Sequence, residues 1–251
     1  MSKRRSCAVC GVRHRALCGA IAKEELPRVN RVASQRQYHA GQFIIGAGQQ
    51  QSWFATVLSG VVKLTKTMSD GRQQIVGLLF ASDFLGRPFG NASPYGAEAA
   101  TAVELCCVER HYFEDLLLNS PDMKQLILER TLNEMDAARE WMLVLGRKTA
   151  EEKVASLILL MAKRACMDNA SGPAPLHYDL PLSRTEMAEY LGLRIETVSR
   201  QIRRLRTAGV IETDNGRAIT VLDIGKLGHM AGRESPEGAE GSTASGKPAR
   251  I

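Results

Sequence analysis

The sequence predicts an α+β protein in which an N-terminal β-roll is followed by one long helix and a C-terminal winged helix-turn-helix. Three observations predict this order. Short apolar runs separated by turn residues fill residues 37–113, a helical stripe covers Pro121–Leu145, and two short helices with a following hairpin fit residues 183–221. Strands repeat every two residues and helices every 3.6, so the change of spacing near residue 120 marks a change of architecture.

These patterns divide the chain into five parts. We expect a cysteine-rich segment at residues 1–20, the β-roll at 21–118, the long helix at 119–146, the winged helix-turn-helix at 147–228 and a disordered tail at 229–251. The tail is predicted because it consists mostly of Gly, Ser, Pro, Glu and Ala and has almost nothing to bury.

Composition indicates a soluble protein of the cytoplasm. Of 251 residues, 44% are hydrophobic and 24% charged, which is ordinary for globular chains. No apolar run reaches the roughly 18–20 residues of a membrane span, and the basic N-terminus lacks the apolar core of a signal peptide. In the cytoplasm, the six cysteines are expected to be metal ligands or core residues rather than members of disulfides. A net charge of +6 and a pI of about 9.1 mildly favour a polyanionic partner.

The β-roll is predicted from short apolar runs that end at turn residues. They are Phe43–Ile45, Trp53–Leu58, Val61–Thr65 and Ile75–Leu79, and the pair Asp70-Gly71 separates the last two. An Asp-Gly pair between alternating strands is a strong hairpin signal. Short strands at this spacing predict a sandwich or barrel.

The long helix carries a narrow apolar stripe with no Pro or Gly inside it. The stripe consists of Leu128, Leu132, Met135, Ala138, Met142 and Leu145. About 25 residues make a helix of roughly 37 Å, longer than a small domain is wide. We therefore favour helix–helix dimerisation over packing on the chain's own domain. Gly146-Arg147-Lys148 predicts a break, and a second helix is expected over Ala150–Lys163.

The helix-turn-helix begins with a capping box, Ser183-Arg184-Thr185-Glu186. Gly192 lies where the turn needs a positive φ. The second helix is predicted over Ile195–Thr207, with Gly209 ending it. Its inner face would hold Ile195, Val198, Ile202 and Leu205. Val210–Thr213, the turn Asp214-Asn215-Gly216 and Ala218–Val221 predict a two-stranded wing.

The outer face of that second helix predicts contact with double-stranded DNA. It presents Glu196, Thr197, Ser199, Arg200, Arg203 and Arg204. Arg200 can bind a guanine with two hydrogen bonds, Glu196 can accept from cytosine N4, and Ser199 can reach a base or a thymine methyl group. Arg203, Arg204 and Arg206 suit phosphates. An arginine-rich face can also be merely solvated, but capping box, turn glycine, helix and wing together favour DNA.

The cysteines predict a metal centre. Cys7-x2-Cys10-x7-Cys18 places three thiols in one short segment, and a fourth ligand would come from elsewhere: Cys106, Cys107 or Cys166. Four thiolates suit zinc or an iron–sulfur cluster, and spacing alone does not separate the two.

Strand alternation favours Cys106 as the fourth ligand. Adjacent strand residues point to opposite faces, and Cys107 shares its face with Val103 and Leu105, which is typical of a core. Cys106 shares the other face with Glu104 and is free to reach the N-terminal segment. Cys166 follows a helix near the second domain and is treated as a bystander.

Taken together, these features resemble the FNR (fumarate and nitrate reductase regulator) branch of the cAMP receptor protein (Crp/Fnr) superfamily, and its FnrL/FnrN type in particular. The resemblance covers about residues 5–228. It is carried by the four cysteines, by Leu58–Leu64, by Ala137–Thr149 and by Glu196-Thr197-Val198-Ser199-Arg200, which matches the E-x-x-S-R recognition motif of that branch.

The resemblance implies a fold and a mechanism. The β-roll would be a cupin-like jelly roll of the cyclic-nucleotide-binding kind, serving as a sensor domain. A [4Fe–4S] cluster on Cys7, Cys10, Cys18 and Cys106 would form without oxygen, promote the homodimer and align both recognition helices on palindromes such as TTGAT-N4-ATCAA. Oxygen would degrade the cluster and end DNA binding. The hairpin tip Asp70-Gly71 would contact RNA polymerase, as similar loops do in the family; the alternative for the same residues is a simple exposed turn.

Three alternatives to an oxygen-sensing iron–sulfur regulator are considered. A cyclic-nucleotide site needs an Arg-Ser pair, but in the corresponding stretch Gly86–Ala99 the residue after Arg87 is Pro88, so no cyclic nucleotide is expected. A structural zinc site would use the same thiols. An enzyme is disfavoured because the five histidines lack metal-binding spacing and no GxSxG, P-loop or GxGxxG motif occurs.

Overall fold

The computed structural model describes residues 7–90, 92–168, 176–214 and 217–233. Short 3-10 helices occupy Cys7–Val9, Arg13–Arg15 and Leu17–Ala20. The N-terminal half then contains α1 (Leu26–Val32), β1 (Ser34–Tyr38), β2 (Phe43–Ile45), β3 (Trp53–Ser59), β4 (Val62–Thr67), β5 (Gln73–Leu79), β6 (Phe84–Leu85), β7 (Gly96–Ala99), β8 (Val103–Glu109) and α2 (Arg110–Asn119). The C-terminal half contains α3 (Pro121–Arg147), α4 (Ala150–Asp168), β9 (Leu176–Asp179), α5 (Arg184–Leu191), α6 (Ile195–Thr207), β10 (Ile211–Asp214), β11 (Ala218–Val221) and α7 (Ile224–Met230).

The predicted β-roll is confirmed as two antiparallel sheets of four strands. Their strand orders are β1-β8-β3-β6 and β2-β7-β4-β5. The alternation predicted for β8 holds, since Val103, Leu105 and Cys107 are buried between the sheets while Cys106 is half-buried on the other face. The β4–β5 hairpin turns at Gly71, whose φ of 85° suits a residue without a Cβ.

The long helix α3 extends through Arg147 and ends at the extended residue Lys148, so the break predicted at Gly146-Arg147-Lys148 is confirmed and falls at the last of these residues. Gly146 itself is helical, since a single glycine costs a helix only about 1 kcal/mol, which neighbouring turns can absorb. A new helix starts shortly after Lys148. There the Thr149 hydroxyl accepts from the Glu152 backbone N–H, and the Glu152 carboxylate accepts from Thr149 in return.

The C-terminal domain differs from the prediction in three places. Its sheet has three strands, because β9 joins β11 beside the predicted pair. Helix α4 continues beyond Lys163 to Asp168. Helix α7 continues to Met230, and Ala231 after it is buried, so the predicted start of the tail at His229 is too early. Residues 234–251, most of the predicted 168–173 loop and the turn residues 215–216 lie outside the described residues.

The winged domain packs against both the β-roll and α3. Its core, built around α4, α5 and α6, includes the β-roll residues Ile75 and Phe80. The ring of Trp141 on α3 stacks on Tyr190 of α5, with centroids 4.6 Å apart. A buried ion cluster completes the contact, since Lys63 Nζ lies 2.8 Å from Glu98 on β7 and 2.6 Å from Glu186 on α5. The two domains therefore share one continuous boundary.

Hydrogen bonding controls the ionisation of this cluster. Burial alone would raise the pKa of Glu186, but its bonds with Lys63 and with the backbone and side chain of Ser183 outweigh burial and hold the pKa below its ordinary 4.5. Burial would likewise lower the pKa of Lys63, and its bonds to Glu186 and Glu98 raise it instead. The pair is therefore charged at neutral pH.

The lowered pKa of Glu186 predicts a loss of stability in acid. Its contribution is complete above the ordinary pKa of 4.5 and disappears as the pH falls through the lower folded value. We expect Glu186→Gln to lower the urea midpoint at pH 7 and to approach the wild-type midpoint in acid.

The control for this experiment is Glu189→Gln. Burial raises the pKa of Glu189, so its charged form is unfavourable in the fold and its removal should not lower the midpoint at pH 7. A stability difference between Glu186→Gln and wild type that stays constant from pH 7 to acid would contradict the assignment.

Candidate functional sites

The cysteine segment, residues 7–20, is held on the outside of the β-roll by apolar anchors. Ala16 and Leu17 are buried, as is Ile21 directly after the segment. Leu17 and Ile21 join a core cluster with Phe54 of β3 and with residues of α2 and α3. At its start, the Cys7 backbone N–H donates to the Asn30 side chain at 3.0 Å. These contacts fix a short segment that has too few residues to form a core alone.

Cys7, Cys10, Cys18 and Cys106 line one cavity, which we call the thiol cavity. Its volume is about 60 Å³, several times the roughly 10–15 Å³ that one water needs by this measure. The remaining wall is almost entirely apolar and includes Phe54, Leu58, Phe84, Val108 and Phe113. The fold thus brings together thiols that are about ninety residues apart in the chain.

The structure separates Cys106 from its neighbour Cys107. Burial, and after it the nearby Cys7 and Cys18, raise the pKa of Cys106 to about 12. Burial also raises the pKa of Cys107 to about 11, but only Arg36 acts on it electrostatically. Cys107 lies in the core between the sheets, 1% exposed, and faces away from the cysteine segment. The thiol that faces the segment is Cys106.

The thiols of the segment are also held in their neutral form. Burial, and after it Cys10 and Cys7, raise the pKa of Cys18 to about 11. Burial and then Cys10 raise the pKa of Cys7, while Arg13 lowers it. Such thiols become thiolates when a bound cation replaces the proton.

The thiol cavity has the ligand types that a soft metal centre needs, but its thiols are not clustered closely enough to form a ready binding group. Four thiols and the thioether of Met123 line it, without a carboxylate or imidazole, and four cysteine thiols are the ligand set of an iron–sulfur cluster or a four-cysteine zinc site. Within the described residues, no three Cys, His, Asp or Glu side chains form a ready metal-binding group. The side chain of Cys166 lies outside the described residues.

The helix-turn-helix has the local geometry that the sequence predicts. The Ser183 hydroxyl accepts from the Glu186 backbone N–H at 3.3 Å, and the Glu186 carboxylate accepts from the Ser183 N–H at 2.7 Å. Gly192 takes the left-handed conformation, with φ of 61°. Helix α6 then covers Ile195–Thr207, as predicted. The capping box and the turn therefore set the angle at which α6 leaves α5.

Helix α6 presents a polar outer face to solvent. Of the predicted DNA contacts, Thr197 is half-buried and the others are exposed: Glu196, Ser199, Arg200, Arg203 and Arg204. The prediction that Ile195 is buried is wrong, since it is 41% exposed at the first turn of the helix, outside the packed inner face. Gln201 is buried on that inner face. The predicted inner face omits Gln201, although residues three apart share a helix face and Gln201 follows the buried Val198 by three.

Arg204 differs from the other exposed arginines of α6. Its guanidinium lies 3.3 Å from Glu151 at the start of α4. Both side chains are partly exposed, and surface ion pairs of this kind contribute little stability. A phosphate could therefore displace Glu151. Arg200 and Arg203 are exposed and face solvent directly.

The predicted stripe on α3 has no partner within the described chain. Leu128 is 59% exposed, Leu132 47%, Met135 41% and Met142 71%. Ala138 is also exposed, while Leu145 is half-buried. Every residue from Thr131 to Glu140 is exposed. A row of large apolar side chains in water is typical of an interaction surface.

Comparison with known proteins identifies the family. Residues 35–120 match the cyclic nucleotide-binding domain and residues 152–230 match the Crp-like helix-turn-helix domain. The chain belongs to the Crp/Fnr family, and it is a DNA-binding transcription regulator of that family.

Individual relatives support this assignment. The chain is 46% identical to the transcriptional activator protein FnrL of Cereibacter sphaeroides, over 92% of this chain and 94% of that protein. It is 33% identical to the nitrogen fixation regulation protein FixK of Bradyrhizobium diazoefficiens, over 90% and 93% of the two chains. The structure of FixK2 from Bradyrhizobium japonicum superposes with a TM-score of 0.73 at 30% identity, covering 81% of this chain and 100% of that one. In the described part of the chain, no helix is long and apolar enough to span a bilayer.

The exposed arginines predict separable effects on DNA binding. We expect Arg200→Ala to lower affinity for a TTGAT-N4-ATCAA duplex by roughly 1–3 kcal/mol and to relax the preference at one base pair. Fluorescence anisotropy with single-base variants of the duplex measures both effects.

Arg206→Ala is the matched control for a phosphate contact. It should weaken binding about equally for all the duplexes and make the affinity less dependent on salt. An equal loss across all duplexes for Arg200→Ala would show that Arg200 contacts phosphate instead of a base.

Proposed function

We propose that this protein is an oxygen-responsive transcription regulator that carries a [4Fe–4S] cluster on Cys7, Cys10, Cys18 and Cys106. It acts as a homodimer through α3 and binds palindromes such as TTGAT-N4-ATCAA. The observation that carries the proposal is the thiol cavity, where thiols from two distant parts of the chain meet beside the start of α3. When bound, the cluster would supply a redox-active centre that reacts with oxygen.

The cysteine segment supports the proposal through its contacts with α3. Met123 of α3 is buried in the same core cluster as Leu17. The Arg130 guanidinium donates to the backbone carbonyl of Arg15, and to that of Ser82 at 3.4 Å. A change in the position of the cysteine segment therefore acts directly on the helix that carries the exposed stripe.

Dimerisation through α3 would place two copies of α6 on one face. A two-fold axis along such a helix pair relates the recognition helices as the two halves of a palindrome are related. Because DNA binding then requires the dimer, occupation of the thiol cavity would control DNA affinity through the monomer–dimer equilibrium.

We further propose that the protein acts in the cytoplasm, contacts RNA polymerase and binds no cyclic nucleotide. Cys7, Cys10, Cys18, Cys106 and Cys107 are free thiols, a state that a reducing cytoplasm would maintain. The β4–β5 turn at Asp70-Gly71 is exposed and available to RNA polymerase. No cyclic nucleotide is expected as effector, since Pro88 follows Arg87 in the segment where that ligand would need a serine.

Anaerobic purification tests the cofactor. A brown protein with about four irons and four sulfides per chain, bleached by air with loss of dimer and of DNA binding, is the expected result. A colourless protein with zinc or no metal, binding DNA equally in air, would overturn oxygen sensing and leave the DNA-binding assignment intact.

The two adjacent cysteines of β8 provide a matched pair of variants. We expect Cys106→Ser to abolish iron and sulfide binding because it removes a thiol from the cavity wall, whereas Cys107→Ser should retain the iron. Metal analysis after anaerobic reconstitution measures both. Iron retained in the first variant and lost in the second would show that Cys107 is the ligand.

The stripe on α3 is tested by a charge at its centre. Leu132→Glu should shift the anaerobic protein to monomer and weaken binding to the palindrome, because the carboxylate would be buried against its own copy. Sedimentation velocity measures the association. Leu118→Glu on α2, a leucine 57% exposed away from the stripe, should remain dimeric. Dimers of unchanged affinity for Leu132→Glu would place the interface elsewhere.

A further inference from the structure

Lys63 lies at the junction of the β-roll and the winged domain and is almost completely buried. The residue is 7% exposed on β4, directly opposite Glu98 in the β4–β7 register. Its ammonium lies 2.8 Å from Glu98 and 2.6 Å from Glu186 of α5. One carboxylate thus belongs to the sheet that carries Lys63, and the other belongs to the helix-turn-helix. A buried lysine shared in this way joins two domains.

We propose that Lys63 is a positioning residue for DNA recognition, holding α5 and thereby α6 at a fixed angle to the β-roll and to α3. The inference concerns DNA binding by this family member and does not depend on the identity of a group in the thiol cavity.

Glu186 has two roles, one in the contact with Lys63 and one in the capping box of α5. One oxygen of its carboxylate contacts Lys63, and the other accepts the Ser183 backbone N–H at 2.7 Å. The capping bond fixes the start of α5, so the bond to Lys63 fixes where that helix start lies on the β-roll. Displacement of the carboxylate would disturb both.

Helix α5 is joined to the recognition helix α6 by a shared core and a short turn. Leu191 of α5 and Val198 of α6 are fully buried in one core, and the turn between the helices has only three residues and begins with the left-handed Gly192. Two short helices with such a joint move as a unit. The orientation of α5 therefore sets the direction in which Ser199 and Arg200 face DNA.

Lys63 also lines a cavity whose wall carries several charged side chains. This open polar cavity of about 480 Å³ lies between the β-roll and the winged domain. Its charged lining consists of Lys63, Glu98, Glu186, Glu189 and Arg217. Without the ammonium of Lys63, its two carboxylate partners would face each other across the domain boundary. Like charges at that distance repel, and water has room to enter and separate the domains.

Further contacts to α5 provide a local reporter. Trp141 of α3 stacks on Tyr190 at 4.6 Å, and the Gln74 side chain of β5 donates to the Tyr190 carbonyl at 3.3 Å. The fluorescence of Trp141 thus responds to the placement of α5. Trp53→Phe removes the other tryptophan, which lies on β3 under Arg36 and away from this boundary.

The test uses full-length protein prepared without oxygen in the Trp53→Phe background. Lys63→Met should lower affinity for the palindromic duplex about tenfold or more, with dimerisation and metal content unchanged and the emission of Trp141 altered. Lys63→Arg keeps the charge and should restore most of the affinity and emission. Lys66→Met, on the exposed end of the same strand, should match the parent protein.

Two results would overturn the proposal. The first is unchanged or tighter DNA binding in Lys63→Met. The second is a loss of affinity accompanied by an equal loss of dimer or by unaltered Trp141 emission. If Lys63→Met does not fold, Glu186→Gln tests the same bond, and wild-type affinity and emission in that variant would also refute it. A failure of the oxygen-sensing proposal is distinct, since it would appear as missing iron or missing dimer in the parent protein.

Discussion

The middle of helix α3 is left uncovered by the part of the chain that the structure describes, and the rest of the structure depends on this constraint. Its 27 residues extend about 40 Å. The first turns bury Met123 against the core that anchors the cysteine segment, and the last turns place Trp141 against α5. Between them, Thr131–Glu140 is exposed throughout. A continuous helix transmits displacement along its axis, so one element connects the thiol cavity, a surface suited to a second copy and the DNA-binding domain.

Burial gives the thiol cavity its chemistry. The sulfurs lie among aromatic and aliphatic side chains, which raises the pKa of Cys18 to about 11 and that of Cys106 to about 12. Negative charge is unfavourable there unless a cation accompanies it, so four thiolates and a metal centre would be stable only together. The same segment contacts α3 through Leu17 and through Arg130. Ligand chemistry at the cavity and the position of the long helix are therefore physically coupled.

Much of the fold and of the candidate sites could be predicted because local signals were strong. The capping box at Ser183, the left-handed Gly192 and the period of the α3 stripe each depend on interactions within one or two turns. The misses have physical reasons. Strand β9 has only four residues, and its pairing with β11 lies about forty residues away in sequence. Ile195 is exposed because the inner face of α6 begins only at Val198.

By itself, the sequence determined the order of the domains, the alternation that separates Cys106 from Cys107, and the exposed face of α6, because each follows from the period of a single element. Only the tertiary structure decided which distant residues meet. It brought Cys106 to the cysteine segment, Trp141 to Tyr190, and Lys63 to Glu186 across 123 positions of chain. Such contacts arise when packed elements bury their apolar faces together, and no local pattern encodes the partner.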